Sequence, residues 1–170
     1  MKMTRRLGFI LVVLFQVLIL VGWTGYNEVS LATGKEVVLQ TAPVDPTDIF
    51  RGDYVQLSYQ ISTLNNLPEI STLENNKKAY VHLEQDGEIW DATEVSNAKN
   101  DSWDVFIVGE VDYLYLGTVR LTYGIEQYFV PEGKGMAIQT AKDIKVLVAI
   151  NGAGQAFIKG LIVDGKPFQP

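Results

Sequence analysis

From Leu7 to Asn27 the chain carries no charge, and between Leu7 and Trp23 only Gln16 is strongly polar. A helix over this run is apolar on every face, unlike the one-sided helix of a soluble core. Its 21 residues rise ~31 Å at ~1.5 Å each, about the hydrocarbon thickness of a bilayer. Lys2, Arg5 and Arg6 precede the run, and Trp23 and Tyr26 close it as interfacial aromatics. These flanks predict a transmembrane anchor with a cytoplasmic N-terminus. A cleavable signal has an apolar core of only ~7–15 residues followed by a small-x-small site. The nearest such tripeptide, Ser30-Leu31-Ala32, lies well past the apolar run, so an uncleaved anchor is expected.

Beyond a short linker the pattern changes to alternation, the mark of half-buried strands. Val55-x-Leu57-x-Tyr59-x-Ile61 places four apolar side chains on one face, with Tyr54 pointing the other way. Tyr80–Gln85 and Glu88–Val95 flank the hairpin signal Asp86-Gly87. Asp104–Val108 and Thr118–Ile125 read as further strands. Lys145–Ile150 and Gln155–Val163 flank a Gly-rich loop, after which Asp164-Gly165 and Pro167 are expected to end regular structure. The best helical candidate in this region is a short turn around Pro68–Asn75. The expected organisation is residues 1–28 as cytoplasmic N-terminus and anchor, 29–36 as linker, and 37–170 as an extracytoplasmic all-β barrel or sandwich of about eight strands.

An internal duplication is a further reading. Val55-x-Leu57-x-Tyr59-x-Ile61 aligns with Val119-x-Leu121-x-Tyr123-x-Ile125, and the hairpin at Gly87 has a match at Gly154. Four shared residues arise readily by chance, so the alignment leaves the matter open. A real duplication would let two halves close on each other and leave few bare edges.

Charge and cysteine content narrow the function. The chain's net charge of −6 includes three basic residues before the anchor, which leaves −9 for the remainder. Nucleic acid, which requires clustered Lys and Arg, is excluded as a partner, and anionic lipid would repel the domain. Without cysteine there is no disulfide, thiolate nucleophile or Cys-ligated zinc. His82 is the only histidine and sits mid-strand, a pattern that argues for packing, not for a transition metal or a triad.

The most information-dense stretch is Asp45-Pro46-Thr47-Asp48-Ile49-Phe50-Arg51-Gly52-Asp53-Tyr54. Gly52-Asp53-Tyr54-Val55-Gln56-Leu57-Ser58-Tyr59 satisfies G-D-Y-x-x-L-x-Y in full and resembles the GDYXXLXY family of membrane-anchored bacterial proteins. Tyr123-Gly124-Ile125-Glu126-Gln127-Tyr128-Phe129-Val130-Pro131-Glu132-Gly133 and Gly160–Gly165 resemble its other recurrent stretches. The resemblance implies a single anchor in the bacterial plasma membrane and a polytopic membrane protein as partner. It implies no reaction and no cofactor.

Three chemistries compete for the motif. The first is structural, with Gly52-Asp53 holding a turn that delivers the strand after it. The second is a cation or small-ligand sensor, in which Asp45, Asp48 and Asp53, with Glu126 and Glu132, supply oxygens. Their spacing is not that of an EF-hand, and Arg51 beside them reads as an ion-pair partner. The third is a hydrolase, since Pro46-Thr47…Gly52-Asp53-Tyr54-Val55 resembles the nucleophile region of signal-peptidase-like serine proteases. The nucleophile position there is Pro43, which has no attacking hydroxyl. The other match to such chemistry, Ser96-Asn97-Ala98-Lys99, lies in a polar loop where nothing would desolvate Lys99. Arg51-Gly52-Asp53 also spells an adhesion tripeptide, which its place inside the longer motif makes the weaker reading. The aromatics Tyr54, Tyr59, Tyr113, Tyr115, Tyr123, Tyr128 and Phe129 are expected in core and cross-strand packing. A ligand groove, if present, belongs between Asp53-Tyr54 and Tyr128–Glu132. A non-catalytic interaction module is therefore the expected function.

Overall fold

The computed structural model describes residues 5–42, 50–51, 54–131, 138 and 141–168. Helix α1 (Arg5–Thr33) is continuous over 29 residues, and its apolar side chains are exposed all round up to Trp23. It is long and apolar enough to cross a membrane. The expected linker is not an irregular segment. The helix runs through Thr33, and strand β1 (Lys35–Gln40) begins after Gly34 alone. A Cβ on Gly34 would lie 2.8 Å from the Ser30 carbonyl oxygen and 3.1 Å from the Ile150 nitrogen, so glycine is what permits so abrupt a junction.

Eleven further strands follow among the described residues: β2 (Phe50–Arg51), β3 (Tyr54–Gln56), β4 (Thr63–Asn65), β5 (Lys78–Asp86), β6 (Ile89–Ser96), β7 (Phe106–Tyr115), β8 (Thr118–Thr122), β9 (Gln127–Phe129), β10 (Ile144–Ile150), β11 (Ala156–Val163) and β12 (Lys166–Pro167). The domain is all-β, and the count exceeds eight because five strands are only two or three residues long. The expected strand Val55–Ile61 breaks after Gln56 and passes into a 3-10 turn over Gln60–Ser62. Its apolar positions are nonetheless all buried. Asp164-Gly165 does not end regular structure either. Both residues take positive φ and turn the chain into β12, which pairs with β11. The polar stretch around Pro68 does hold a short 3-10 turn, Ile70–Thr72.

Strand order reveals a pseudo-two-fold arrangement. One sheet runs β4-β8-β7-β5-β6. The strands β1-β10-β11-β12 and β2-β3-β9 are tied together by a Thr41↔Tyr59 bridge and by the Ala42 N–H donating to the Ser58 carbonyl at 2.8 Å. The second layer therefore reads β9-β3-β1-β10-β11. It is the first layer with β1, β3, β4, β5 and β6 exchanged for β7, β8, β9, β10 and β11. Register agrees residue by residue in the ladders that β3 makes with β9 and β2. Shifting β4 forward and β8 back by 64 residues turns Thr63↔Arg120, Leu64↔Val119 and Asn65↔Thr118 into Gln127↔Gln56, Tyr128↔Val55 and Phe129↔Tyr54, the pairs that β9 and β3 make. The same shift turns Arg51↔Tyr54 and Phe50↔Val55 into Tyr115↔Thr118 and Leu114↔Val119. Irregularities coincide as well: the β5–β6 ladder slips between His82 and Leu83, and β10–β11 slips 65 residues later, between Leu147 and Val148. Each half lends strands to both layers, and β1 lies beside β6, so the sheets nearly close into a barrel.

The core lies between the layers. Val55, Leu57, Tyr59 and Ile61 meet Val119, Leu121, Tyr123 and Ile125 there, with Val37, Leu39, Val81, Ile107, Val146 and Val148 around them.

Candidate functional site

At the pseudo-axis the two halves exchange hydrogen bonds. The Tyr59 hydroxyl donates to the Ile125 carbonyl at 2.6 Å, and the Tyr123 hydroxyl donates to the Ile61 carbonyl at 2.5 Å. The backbone N–H of each tyrosine donates to the side chain three residues on, Ser62 Oγ for Tyr59 and Glu126 Oε1 for Tyr123. Tyr123 fits because Gly109 faces it. A Cβ at Gly109 would come within 2.9 Å of the ring. Burial raises the pKa of both phenols, and the nearby Glu126 carboxylate raises them further. Neither hydroxyl is a proton donor for chemistry near neutral pH. These residues close the barrel.

Outside, the halves differ. Tyr54 and Phe129 are cross-strand partners on the outward face of β3 and β9, packed edge to face with ring centroids 5.7 Å apart. They are 51% and 55% exposed, so about half of each ring is left open by the described residues. Their pseudo-symmetric counterparts are Thr118 and Asn65, where the threonine hydroxyl donates to the Asn65 amide oxygen at 2.6 Å. The second tip carries exposed Tyr113, Tyr115 and Leu116 on its β7 side, separate from that polar pair.

Tyr54 points outward as expected and packs cross-strand on Phe129, whereas Tyr113 and Tyr115 are exposed on the surface. For β7 the cause is a bulge between Val111 and Tyr113. Ile107, Gly109 and Val111 face inward, and the extra residue flips the phase, turning Tyr113 and Tyr115 out. Tyr59 and Tyr123 are buried as expected, and Tyr128 is half-buried opposite Val55.

Of the other motif residues, Leu57 is buried and its N–H donates to the Glu126 carbonyl at 2.7 Å. Gly124 turns the chain with φ +80° between Tyr123 and Glu126, and Pro131 is half-buried. Arg51 pairs through its backbone with Tyr54. Asp45, Asp48, Gly52, Asp53, Glu132 and Gly133 lie outside the described residues, and so do the two ends, Asp53 and Glu132, of the groove expected between Asp53-Tyr54 and Tyr128–Glu132. Among the described residues no three His, Asp or Glu side chains gather to hold a metal. His82 Nδ1 sits 3.0 Å from Thr93 Oγ1, and its ring stacks on Trp103 at 5.2 Å. Lys99 is half exposed, 3.5 Å from Asp101.

The helix–domain junction is the feature that pattern reading did not supply. The Tyr26 hydroxyl donates to Gln155 Oε1 at 2.9 Å, while Asn151 Nδ2 donates to Tyr26 Oη at 3.2 Å and to Ser30 Oγ at 3.3 Å. Ser30 is buried. The C-terminal turns of α1 are thus bolted to the β10–β11 loop. Beside the junction a cleft of about 780 Å³ opens between α1 and the domain, lined by Trp23 and Tyr26 on one side and by Lys78, Tyr80, Glu110 and Glu126 on the other. A second groove runs along α1 from Thr24 to Leu31 and reaches Gln127 on β9.

No curated protein and no solved structure matches the chain. The sequence model of the GDYXXLXY protein family matches residues 16–161, from within the apolar helix to β11. That match covers most of the chain, both tips and the whole reciprocal tyrosine pair, and the chain belongs to the GDYXXLXY family.

Proposed function

We propose that this protein is a non-catalytic, membrane-anchored interaction module that docks on a polytopic membrane partner. In this reading α1 spans the bacterial plasma membrane with Lys2, Arg5 and Arg6 in the cytoplasm, and the β domain stands outside. The observation that carries the reading is the exposed Tyr54–Phe129 pair. The fold does not need it, because the pseudo-symmetric position is satisfied by Thr118 and Asn65. Exposed paired aromatics are the residues from which protein contacts draw most of their energy. Location supports a membrane partner. The outward face of β3 and β9 continues from Tyr54 and Phe129 to Gln127, which borders the groove along α1 beside Thr24 and Asn27. The helix junction would hold that face at a fixed height above the bilayer.

The test is affinity purification of the full chain from detergent-solubilised membranes, wild type against Tyr54→Thr/Phe129→Asn, with mass-spectrometric identification. A polytopic protein is expected with the wild type and should fall by about tenfold or more with the double variant, the loss of ~1.4 kcal/mol or more of contact. Equal recovery from both chains, or recovery of no membrane protein, overturns the reading.

A further inference from the structure

On the anchoring reading, the cleft between α1 and the domain lies at the depth of lipid headgroups. Trp23 ends the apolar run and lines the cleft, and Tyr26, the first residue bolted to the domain, is only three positions further on. Three residues of helix rise ~4.5 Å, less than the ~5–7 Å headgroup layer on one side of a bilayer. The underside of the domain, where Lys78, Tyr80, Glu110 and Glu126 line the cleft, therefore rests among headgroups.

Its charges are arranged for one kind of headgroup. Among the described residues, Lys78, Glu110 and Glu126 have no ion-pair partner within 4 Å, although Lys78 and Glu110 are cross-strand neighbours. On the other face the corresponding stretch of β10 is already neutralised, with Lys145 held 2.9 Å from Glu88 and 3.9 Å from Asp143. The cleft thus offers one cation, two carboxylates and the aromatic rings of Trp23, Tyr26 and Tyr80. Carboxylates beside aromatic faces attract an ammonium group, and a lysine attracts a phosphate. The acidic domain repels lipids of net negative charge. We propose that the cleft binds a zwitterionic, ammonium-bearing phospholipid headgroup, with its phosphate toward Lys78 and its ammonium toward Glu110 and Glu126. This rests on the anchoring reading above and not on the docking one.

The full chain is placed in nanodiscs of equal phosphatidylethanolamine and phosphatidylglycerol, and the lipids it retains are identified by native mass spectrometry. Wild type is expected to enrich phosphatidylethanolamine about fivefold, the effect of one ~1 kcal/mol ammonium–aromatic contact. Glu110→Gln/Glu126→Gln should return the ratio to that of the disc, and Glu110→Gln alone, on an exposed strand position, should lower it. The glutamine at 126 keeps an acceptor for the Tyr123 N–H, so the fold is retained, and circular dichroism checks it. No enrichment, enrichment of phosphatidylglycerol, or enrichment indifferent to both variants overturns the proposal. Soluble glycerophosphoethanolamine is the second arm, and displacement of the lipid by it at millimolar concentration would overturn the lipid as occupant. A chain that inserts but shows no enrichment sinks this inference alone. A chain that fails to insert sinks the anchoring reading and this one together.

Discussion

The two halves of the β domain agree inside and disagree outside. Tyr59 and Tyr123 make the same pair of bonds in exchange, and Leu57 and Leu121 occupy the same core layer. On the outward face the same comparison gives an exposed aromatic pair, Tyr54 with Phe129, against a hydrogen-bonded polar pair, Thr118 with Asn65. A closed sheet constrains side chains that point inward and leaves the outward ones free, since each inward position is packed by strands of both halves. What differs between pseudo-equivalent surface positions is therefore not required by the barrel. That contrast separates the residues that make the fold from those available for recognition.

The largest effect sharpens the inner half of the comparison. Leu57→Ala and Leu121→Ala each remove a buried leucine and should each cost ~2–5 kcal/mol in thermal or denaturant unfolding of the detergent-solubilised chain. Their costs should agree within ~1 kcal/mol, since the two sites have the same inward position in matched registers. A leucine that unfolds the domain set against one that barely matters would break the equivalence.

The next effect is on pH. Burial and Glu126 push the pKa of Tyr59 and of Tyr123 above the phenol value of 10.0. Raised folded-state values mean that below pH ~10 both states hold the proton and stability is unaffected. Above it the unfolded chain releases protons that the folded chain keeps, so stability falls with rising pH. Two such groups lower it by ~2.7 kcal/mol per pH unit. Absorbance of tyrosinate from these two phenols should appear only together with unfolding. Tyr59→Phe or Tyr123→Phe should remove about half of the slope. A slope that survives either change would show that the two phenols are not equivalent.

How much of this was legible in sequence follows the same division. Alternation found the buried face Val55, Leu57, Tyr59 and Ile61, because burial follows the side-chain period even where the strand breaks at Gln56. It found the hairpin at Gly87, whose positive φ at the first of two loop residues is what a tight turn of this kind needs. It missed the hairpin at Leu116-Gly117, because Leu116 at φ 46° is no turn signal. It placed no strand over Tyr113 and Tyr115 and expected them only in core or cross-strand packing, and the bulge that turns them out leaves no mark in composition. The repeat was visible as four letters. What turned those letters into a symmetry was register, which depends on pairing between residues 53 to 75 apart. The junction of α1 with Asn151 and Gln155 was invisible for the same reason: its polar residues look like ordinary loop and interface residues until they meet.

The smallest expected effect tests the outer half. Tyr54→Thr/Phe129→Asn installs on one side the pair that the other side already uses. Removing an edge-to-face contact costs ~0.5–1.5 kcal/mol, and a new cross-strand hydrogen bond returns ~0.2–1 kcal/mol. Both rings are half exposed, so little buried area is lost with them. The net change in stability should therefore stay below ~1 kcal/mol, a few degrees in melting temperature at most for a domain of this size. If the loss were instead ~3 kcal/mol or more, as for a buried aromatic, the pair would be part of the barrel's own packing. The aromatic surface would then no longer be free for a partner, and the contrast between the halves would be structural. A small change in stability leaves the pair with no work to do inside the chain, which is the condition its role in recognition requires.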